Sequence, residues 1–257
     1  MIQQFVSHTP SRGWFDEGAE NYSQSRPTYP SELFKWIADH APALNNVWDV
    51  ACGNGQASIG LAKHFLRVDA TDLSPAQISR ARVHRRISYQ VAAAEKTPLV
   101  DRSLDAIVVG TAIHWLNVPK FNQEALRTLR PNGLMVWMGY APLQGAPIEL
   151  QAWLNELYYQ RLRDLWPPQR HHVDTQYREL PFPGPSEIMP QDLKISLEWG
   201  SNDLTAFIRS WSALRRAHQL GVDLLPQLDQ EIQAIWPGES ILKLNLPIMG
   251  RWGQLNT

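Results

Sequence analysis

The sequence predicts an α/β fold built on a doubly wound, mostly parallel sheet, and three observations carry that expectation. Short apolar runs alternate with helical patterns from residue 46 to residue 140. One of them, Leu104-Asp105-Ala106-Ile107-Val108-Val109, is nearly continuous, as in a strand buried on both faces of a parallel sheet. The chain has 257 residues, enough to bury an apolar core together with a cap.

Taken in order, residues 46–51 form a strand, followed by a glycine-containing turn and a helical pattern over 56–64. Residues 67–71 form a second strand. Ser74-Pro75 then opens a helix through residue 86, because serine caps well and proline suits the first helical turn. Strands are expected at 87–92 and 104–109, then a helix over 120–129 ended by Arg130-Pro131-Asn132-Gly133, and a fifth strand at 134–140. Beyond Pro142 the pattern changes. Long helical stretches at 148–166 and 204–220 flank an irregular, proline-rich segment around 180–190. Residues 194–199 and 241–246 alternate at period two, as strands joining the sheet edge would. No repeat or low-complexity block interrupts the chain.

The composition is that of an ordinary globular protein, 44% hydrophobic and 19% charged, and the formal net charge of -1 gives no general attraction to phosphate polymers. No nucleic-acid partner is expected. Arg80, Arg82, Arg85 and Arg86 read as the solvated face and end of a helix. A single cysteine, Cys52, rules out an intrachain disulfide framework and fits a reducing compartment, so a cytoplasmic location is expected. The N-terminus lacks a signal-peptide core, and no apolar run approaches the roughly 20 residues that span a bilayer, so no membrane partner is expected.

The most informative segment runs from Asp49 to Gln56, where small residues alternate as the first strand turns into a helix. Glycine at 53 and 55 admits positive φ or close approach of a ligand. A dinucleotide fingerprint requires Gly-x-Gly-x-x-Gly, whereas the small residues here are Ala51, Gly53 and Gly55, followed by Gln56. Asp72 ends the second strand and is placed to accept hydrogen bonds from ribose hydroxyls of either an adenosyl or a nicotinamide cofactor. The loop carries an acid and no base, which suits an uncharged sugar tail better than a pyrophosphate. An NAD-dependent oxidoreductase stays open as the alternative, as does a non-catalytic module that binds the cofactor.

Several segments occur together in order: Phe15-Asp16, Tyr22, Arg26-Pro27, Tyr29-Pro30, Asp49 to Gly55, Asp72-Leu73-Ser74, Ala94-Glu95, His114-Trp115, Leu129 to Gly133 and Trp211-Ser212-Ala213. With them the chain resembles the class I S-adenosylmethionine-dependent methyltransferases of the type 11 group, in particular a branch that includes trans-aconitate methyltransferases. The resemblance implies a seven-stranded Rossmann-like methyltransferase sheet capped by helices. Residues 1–40 would supply lid helices, 44–141 the cofactor-binding core, and 142–257 a substrate-facing cap plus the last strands, all within one methyltransferase domain.

It further implies that Asp49, Ala51, Cys52, Gly53 and Gly55 hold the methionine part of S-adenosylmethionine, and that Asp72 and Leu73 hold the ribose. Ala93, Ala94 and Glu95 would border adenine, and Gly110, Thr111 and Ala112 would line the sulfonium. Tyr22, Arg26 and Tyr29 would close over cofactor and acceptor. Two departures stand out. Ala51 replaces a glycine common in the family, a modest change if its φ is negative; Ala93 replaces a polar adenine partner.

Methyl transfer is an in-line displacement, so the protein must hold an electron-rich atom about 3 to 3.5 Å from the methyl group. His114, just past the fourth strand, has a reference pKa of about 6.5 suited to a base or hydrogen-bond donor; its structural alternative is to shape the loop with Trp115. Arg26, Arg209 and Arg215 are candidates to bind an acceptor carboxylate. Tyr29, Trp115 and Trp211 are placed with the acceptor, and Trp153, Trp166, Trp199 and Trp236 are candidate pocket walls among the 11 tryptophans. Cys52 reads as a small residue in a tight loop. His171-His172 with Asp174 lacks metal-ligand spacing, so no metal is expected. The expected activity is methylation of a small-molecule acceptor, a carboxylic acid favoured, leaving S-adenosylhomocysteine; oligomeric state and order of binding stay open.

Overall fold

The computed structural model describes residues 26–256, and its sheet grows outward from β1 (Asn46–Val50), in which Val47, Trp48, Asp49 and Val50 are all buried. β1 pairs in parallel with β2 (Arg67–Asp72) on one side and with β4 (Leu104–Gly110) on the other. β3 (Ile87–Val91) extends the sheet past β2, and β5 (Leu129–Tyr140) extends it past β4, both in parallel. β8 (Leu242–Leu255) runs antiparallel to β5 and also pairs with β6 (Glu187–Ile188) and β7 (Lys194–Trp199). The order is β3-β2-β1-β4-β5-β8-β6, with β7 on the other part of β8. The winding direction reverses between β1 and β4, so their carboxyl ends open side by side, where open α/β sheets bind ligands.

Alternation along the strands splits the core into two faces. Val47, Ala106, Val108 and Val136 pack with Leu33, Phe34 and Ile37 of α1 (Ser31–His40) and with Leu61 of α2 (Gln56–Leu61). Trp48, Ile107, Val109 and Trp137 pack on the other face with Phe121 and Ala125 of α4 (Val118–Thr128). α1 lies within the segment expected to form the lid; the rest of that segment up to residue 25, Tyr22 included, lies outside the described residues.

The structure departs from the sequence expectations where local signals lacked a packing partner. Ser74 does cap a helix, its hydroxyl accepting from the Gln77 N–H at 3.1 Å, but α3 (Pro75–Ile78) stops after one turn rather than at residue 86. The following residues offer no apolar stripe: Val83 is 99% exposed, and Arg80, Arg82 and Arg85 are exposed. Arg86 instead donates to the carbonyls of Ala62 and Phe65 behind α2. Residues 130–133 do not separate α4 from the fifth strand. β5 begins at Leu129, and the turn survives as an irregularity in which Leu104 pairs with Leu129 but Ala106 pairs with Leu134, Asn132 taking a φ of 61°.

Beyond the core, the expected helix over 148–166 is α5 (Ile148–Glu156) running into a widened turn, Leu157–Arg161, closed by Leu162 N–H to Leu157 C=O at 3.0 Å. The short α6 (His171–Asp174) follows the Pro167-Pro168 break. The expected helix over 204–220 is two helices, α7 (Ser201–Arg209) and α8 (Ser212–Gln219), separated where Trp211 is extended and turns its ring inward. A further helix, α9 (Leu225–Ile235), was not anticipated; it buries Leu228 and Ile232. The sheet has eight strands, one more than the seven expected, through the two-residue β6. The strand expected at 241–246 continues to Leu255, because its second half pairs with β5.

That pairing depends on Gly250, which has a φ of 139° and whose Cβ, if present, would lie 2.0 Å from the Trp137 carbonyl oxygen. Gly250→Ala should therefore cost about 3 kcal/mol through overpacking and backbone strain. Urea denaturation should show a lower midpoint with little change in slope, and an unchanged midpoint would refute the tight pairing.

Candidate functional site

β1 leaves the sheet through a chain of left-handed residues: Ala51 at φ 50°, Gly53 at φ 56° and Gly55 at φ 82°. Gly55 is required twice over, since a Cβ there would also fall 2.2 Å from the Tyr89 hydroxyl. Ala51 does not have the negative φ that would make its replacement of glycine a modest change; it sits in the left-handed region at a cost of about 1–2 kcal/mol. Asp72 ties this loop to β2, its carboxylate accepting the Gly53 N–H and the Ser74 N–H, both at 2.8 Å.

Asp49 lies beneath the loop, 1% exposed, and accepts a hydrogen bond from the Ser58 hydroxyl at 2.5 Å. Burial pushes its pKa up to about 7, and the neighbouring Asp72 charge adds to the rise. Burial, with both carboxylates nearby, also pushes the Cys52 thiol far above its ordinary range, so Cys52 is a small neutral lining residue. These residues form a cleft lined by Asp49, Ala51, Cys52, Gly53, Gly110 and Thr111, together with Arg26, Tyr29, Gln77 and Tyr140. Gly55, Asp72, Leu73, Ala93, Ala94, Glu95 and Ala112 do not line it. Leu73 is 48% exposed, Ala94 and Ala112 are buried, and Glu95 accepts the Asn117 N–H at 2.9 Å.

β4 also ends on a left-handed residue, Thr111 at φ 54°, which is a rare conformation for a β-branched side chain. Its hydroxyl meets the Tyr29 hydroxyl at 2.6 Å. Arg26 donates to the Tyr140 hydroxyl and, at 3.2 Å, to the carbonyl of Ser210. Arg26, Thr111 and Tyr140 line both the cleft and a second chamber of about 770 Å³. This chamber brings together His114, Trp115, Trp211 and Arg215, as expected from the sequence, together with Trp166. Arg209 is not among them: it is exposed on α7, whose buried face is made by Leu204, Thr205, Phe207 and Ile208. Trp153, Trp199 and Trp236 pack against or within the core instead.

His114 is 7% exposed, with its ring 4.7 Å from that of Trp115 and stacked at 6.0 Å on Tyr177. Burial lowers its pKa to about 3, with the charges of Arg170, His172 and Arg26 reinforcing the shift. At ordinary pH such an imidazole is neutral; it donates or accepts hydrogen bonds and holds a proton more poorly than a free one. His171 and His172 face Glu179 at 3.0 and 3.8 Å, and Asp174 accepts the Tyr158 hydroxyl at 2.7 Å. Sequence reasoning missed Arg170, Tyr158 and Phe207 in the chamber wall, and Gln77 and Tyr89 by the cleft. Only the period of β3 hinted at Tyr89.

A family described as "Methyltransferase domain" matches residues 48–137, the span from β1 to β5 that builds both strand ends. A solved structure from Anaeromyxobacter dehalogenans, titled a type II methyltransferase, is 37% identical, covering 89% of this chain and 97% of its own, with a TM-score of 0.81. A Dictyostelium discoideum protein whose name assigns it to the methyltransferases is 29% identical over 91% of this chain and 92% of its own length. The malonyl-[acyl-carrier protein] O-methyltransferase of Dechloromonas aromatica is 29% identical, over 48% of this chain and half of its own length. The chain belongs to the class I S-adenosylmethionine-dependent methyltransferases, and S-adenosylmethionine is its cofactor. Among the described residues, no helix is long and apolar enough to cross a membrane.

Two measurements probe the cleft. Ala51→Gly should remove the left-handed strain while giving back about 0.4–1 kcal/mol in chain entropy, so thermal unfolding should shift upward by about 1–3 °C. A fall would refute the strain. Because the folded pKa of Asp49 is raised, its stabilising contribution is complete below about pH 4 and is lost as pH rises through about 7. A cation entering the cleft favours the ionised form, so ligand binding should release a proton near pH 7. Calorimetry with S-adenosylhomocysteine in buffers of different ionisation enthalpy should detect that release, and Asp49→Asn should abolish it.

Proposed function

We propose that the protein methylates a small acceptor at a carboxylate oxygen. The observation that carries this reading is the contrast between the two cavities. The cleft has Asp49 in its lining, with Asp72 bonded to the loop that walls it, whereas the chamber adds Arg170 and Arg215 to the Arg26 that both share and has no aspartate or glutamate among its described lining residues. An acid-bearing cleft fits a cofactor that is positively charged at its sulfonium and amino groups, and it fits a pyrophosphate poorly. When bound, the cofactor supplies an electrophilic methyl group. Asp49 and the loop through Gly55 would hold its methionine part, and Asp72 its ribose, while Arg26, Thr111 and Tyr140 border the point where acceptor and methyl meet.

Burial pushes the His114 pKa down to about 3, which makes it a weak base for deprotonating an acceptor. A phenol or amine acceptor would have to lose a proton, whereas a carboxylic acid is already ionised at neutral pH and needs only positioning. His114 then acts as a neutral hydrogen-bonding partner that orients the acceptor. The O-methyltransferase named above supports oxygen as the atom modified. The continuity of chamber and cleft favours an enzyme over a module that binds the cofactor alone.

With methyl-labelled cofactor and a panel of carboxylic acids, phenols and amines, labelled products should be esters that release methanol in alkali. Labelled phenol ethers or amines without esters would overturn the reading. His114→Ala should raise the acceptor KM by about tenfold while leaving the shape of the kcat profile between pH 6 and 9 unchanged. Loss of a base-like ionisation from that profile would restore His114 as general base.

A further inference from the structure

A ribbon of aromatic rings leads away from the junction of the two cavities. From Tyr140, which Arg26 contacts, the ring centroids step 6.5 Å to Phe207, 5.8 Å to Trp211, and then 5.5 Å to Trp166 or 5.7 Å to Tyr158. At its end the Arg170 guanidinium carbon lies 5.4 Å from the ring centres of both Tyr158 and Trp166, within cation–π range. Arg170 lines the chamber, and no ion pair holds it among the described residues. Asp174, four residues on, is taken by the Tyr158 hydroxyl.

Two features show what this arrangement fits. The two rings hold the guanidinium without using its N–H groups, which can receive a planar anion by paired hydrogen bonds. Arg170 does not line the cofactor cleft, so an anion held there is not the one at the methyl-transfer point.

Resting on the carboxylate reading, we propose that Arg170 is a specificity-determining residue that binds a second anionic group of the acceptor, remote from the atom methylated. The preferred substrates are then diacids whose two anionic groups are separated by an apolar, preferably flat, body lying along Phe207 and Trp211.

The test compares matched acids with the full protein: benzoate with benzene-1,4-dicarboxylate, and hexanoate with hexanedioate. In each pair the diacid should have the lower KM, by about tenfold or more, at similar kcat. Arg170→Gln should raise the diacid KM by much more than the monoacid KM, so that the two converge; Arg170→Lys should restore part of the difference. Equal KM values within both pairs, or equal damage to monoacid and diacid, would overturn the proposal while leaving the carboxylate reading intact.

A parallel readout needs no turnover. Each acid is added to the protein saturated with S-adenosylhomocysteine, and the unfolding temperature is recorded. Diacid stabilisation that Arg170→Gln removes, without ester formation, would support the anion site and refute the carboxylate reading. The absence of any stabilisation together with the absence of ester would refute both. The unfolding temperature of each ligand-free variant separates these outcomes from misfolding.

Discussion

The parallel pairing of β1 with β4 is the constraint on which the rest depends. Trp48 lies opposite Ile107 and Val50 opposite Val109, so the two strands reach the edge of the sheet together. Each then departs through a left-handed residue that carries a Cβ, Ala51 in one case and Thr111 in the other. Such conformations persist only where surrounding contacts over-determine them. Here Cys52 N–H bonds to the Thr71 carbonyl, Thr111 N–H bonds to the Met138 carbonyl, and the Thr111 hydroxyl meets Tyr29. The neighbouring strands β2 and β5 thus hold the exits of β1 and β4 apart, and the cleft occupies the space between them.

Charge is segregated across the same line. Asp49 and Asp72 lie on the β1–β2 side, and burial keeps Asp49 close to neutrality until a cation arrives. Arginines lie on the side of the added helices, and their field, together with burial, holds His114 neutral. Arg26 stands at the boundary and is spent on Tyr140 and the end of α7, which binds the cap to the core. Under the carboxylate proposal, such potentials in adjoining cavities would orient a cationic donor and an anionic acceptor toward each other before any contact is made.

How much of this was legible follows from where each signal resides. β1 to β5 were legible because burial on both faces writes apolar runs directly into the chain, as at 104–109. Gly53, Gly55 and Asp72 were legible because their spacing is local. The short α3 was not, since Ser74-Pro75 starts a helix regardless of whether an apolar face continues it. The φ of Ala51 was hidden because alanine signals no left-handed turn. Arg170 was hidden for a different reason: its position depends on the widened turn at Leu157–Arg161 and on the Pro167-Pro168 break, which together lay Tyr158 and Trp166 around it.

The widened turn also accounts for how the cap builds a chamber without losing its own stability. Leu157 and Tyr158 keep the phase of Leu150 and Leu154 and are buried, and the extra residue in the turn after them shifts the chain that follows. The Tyr158 ring stands at 4.9 Å from Trp166 and 5.7 Å from Trp211. Tyr158 nevertheless satisfies its hydroxyl on Asp174, and Trp166 satisfies its indole N–H on the Tyr158 carbonyl at 2.9 Å. The aromatic wall is therefore anchored from behind by hydrogen bonds and offers only its faces to the chamber. A surface of this kind discriminates through the charges set at its two ends, Arg26 and Arg170, and tolerates variation in the apolar body between them.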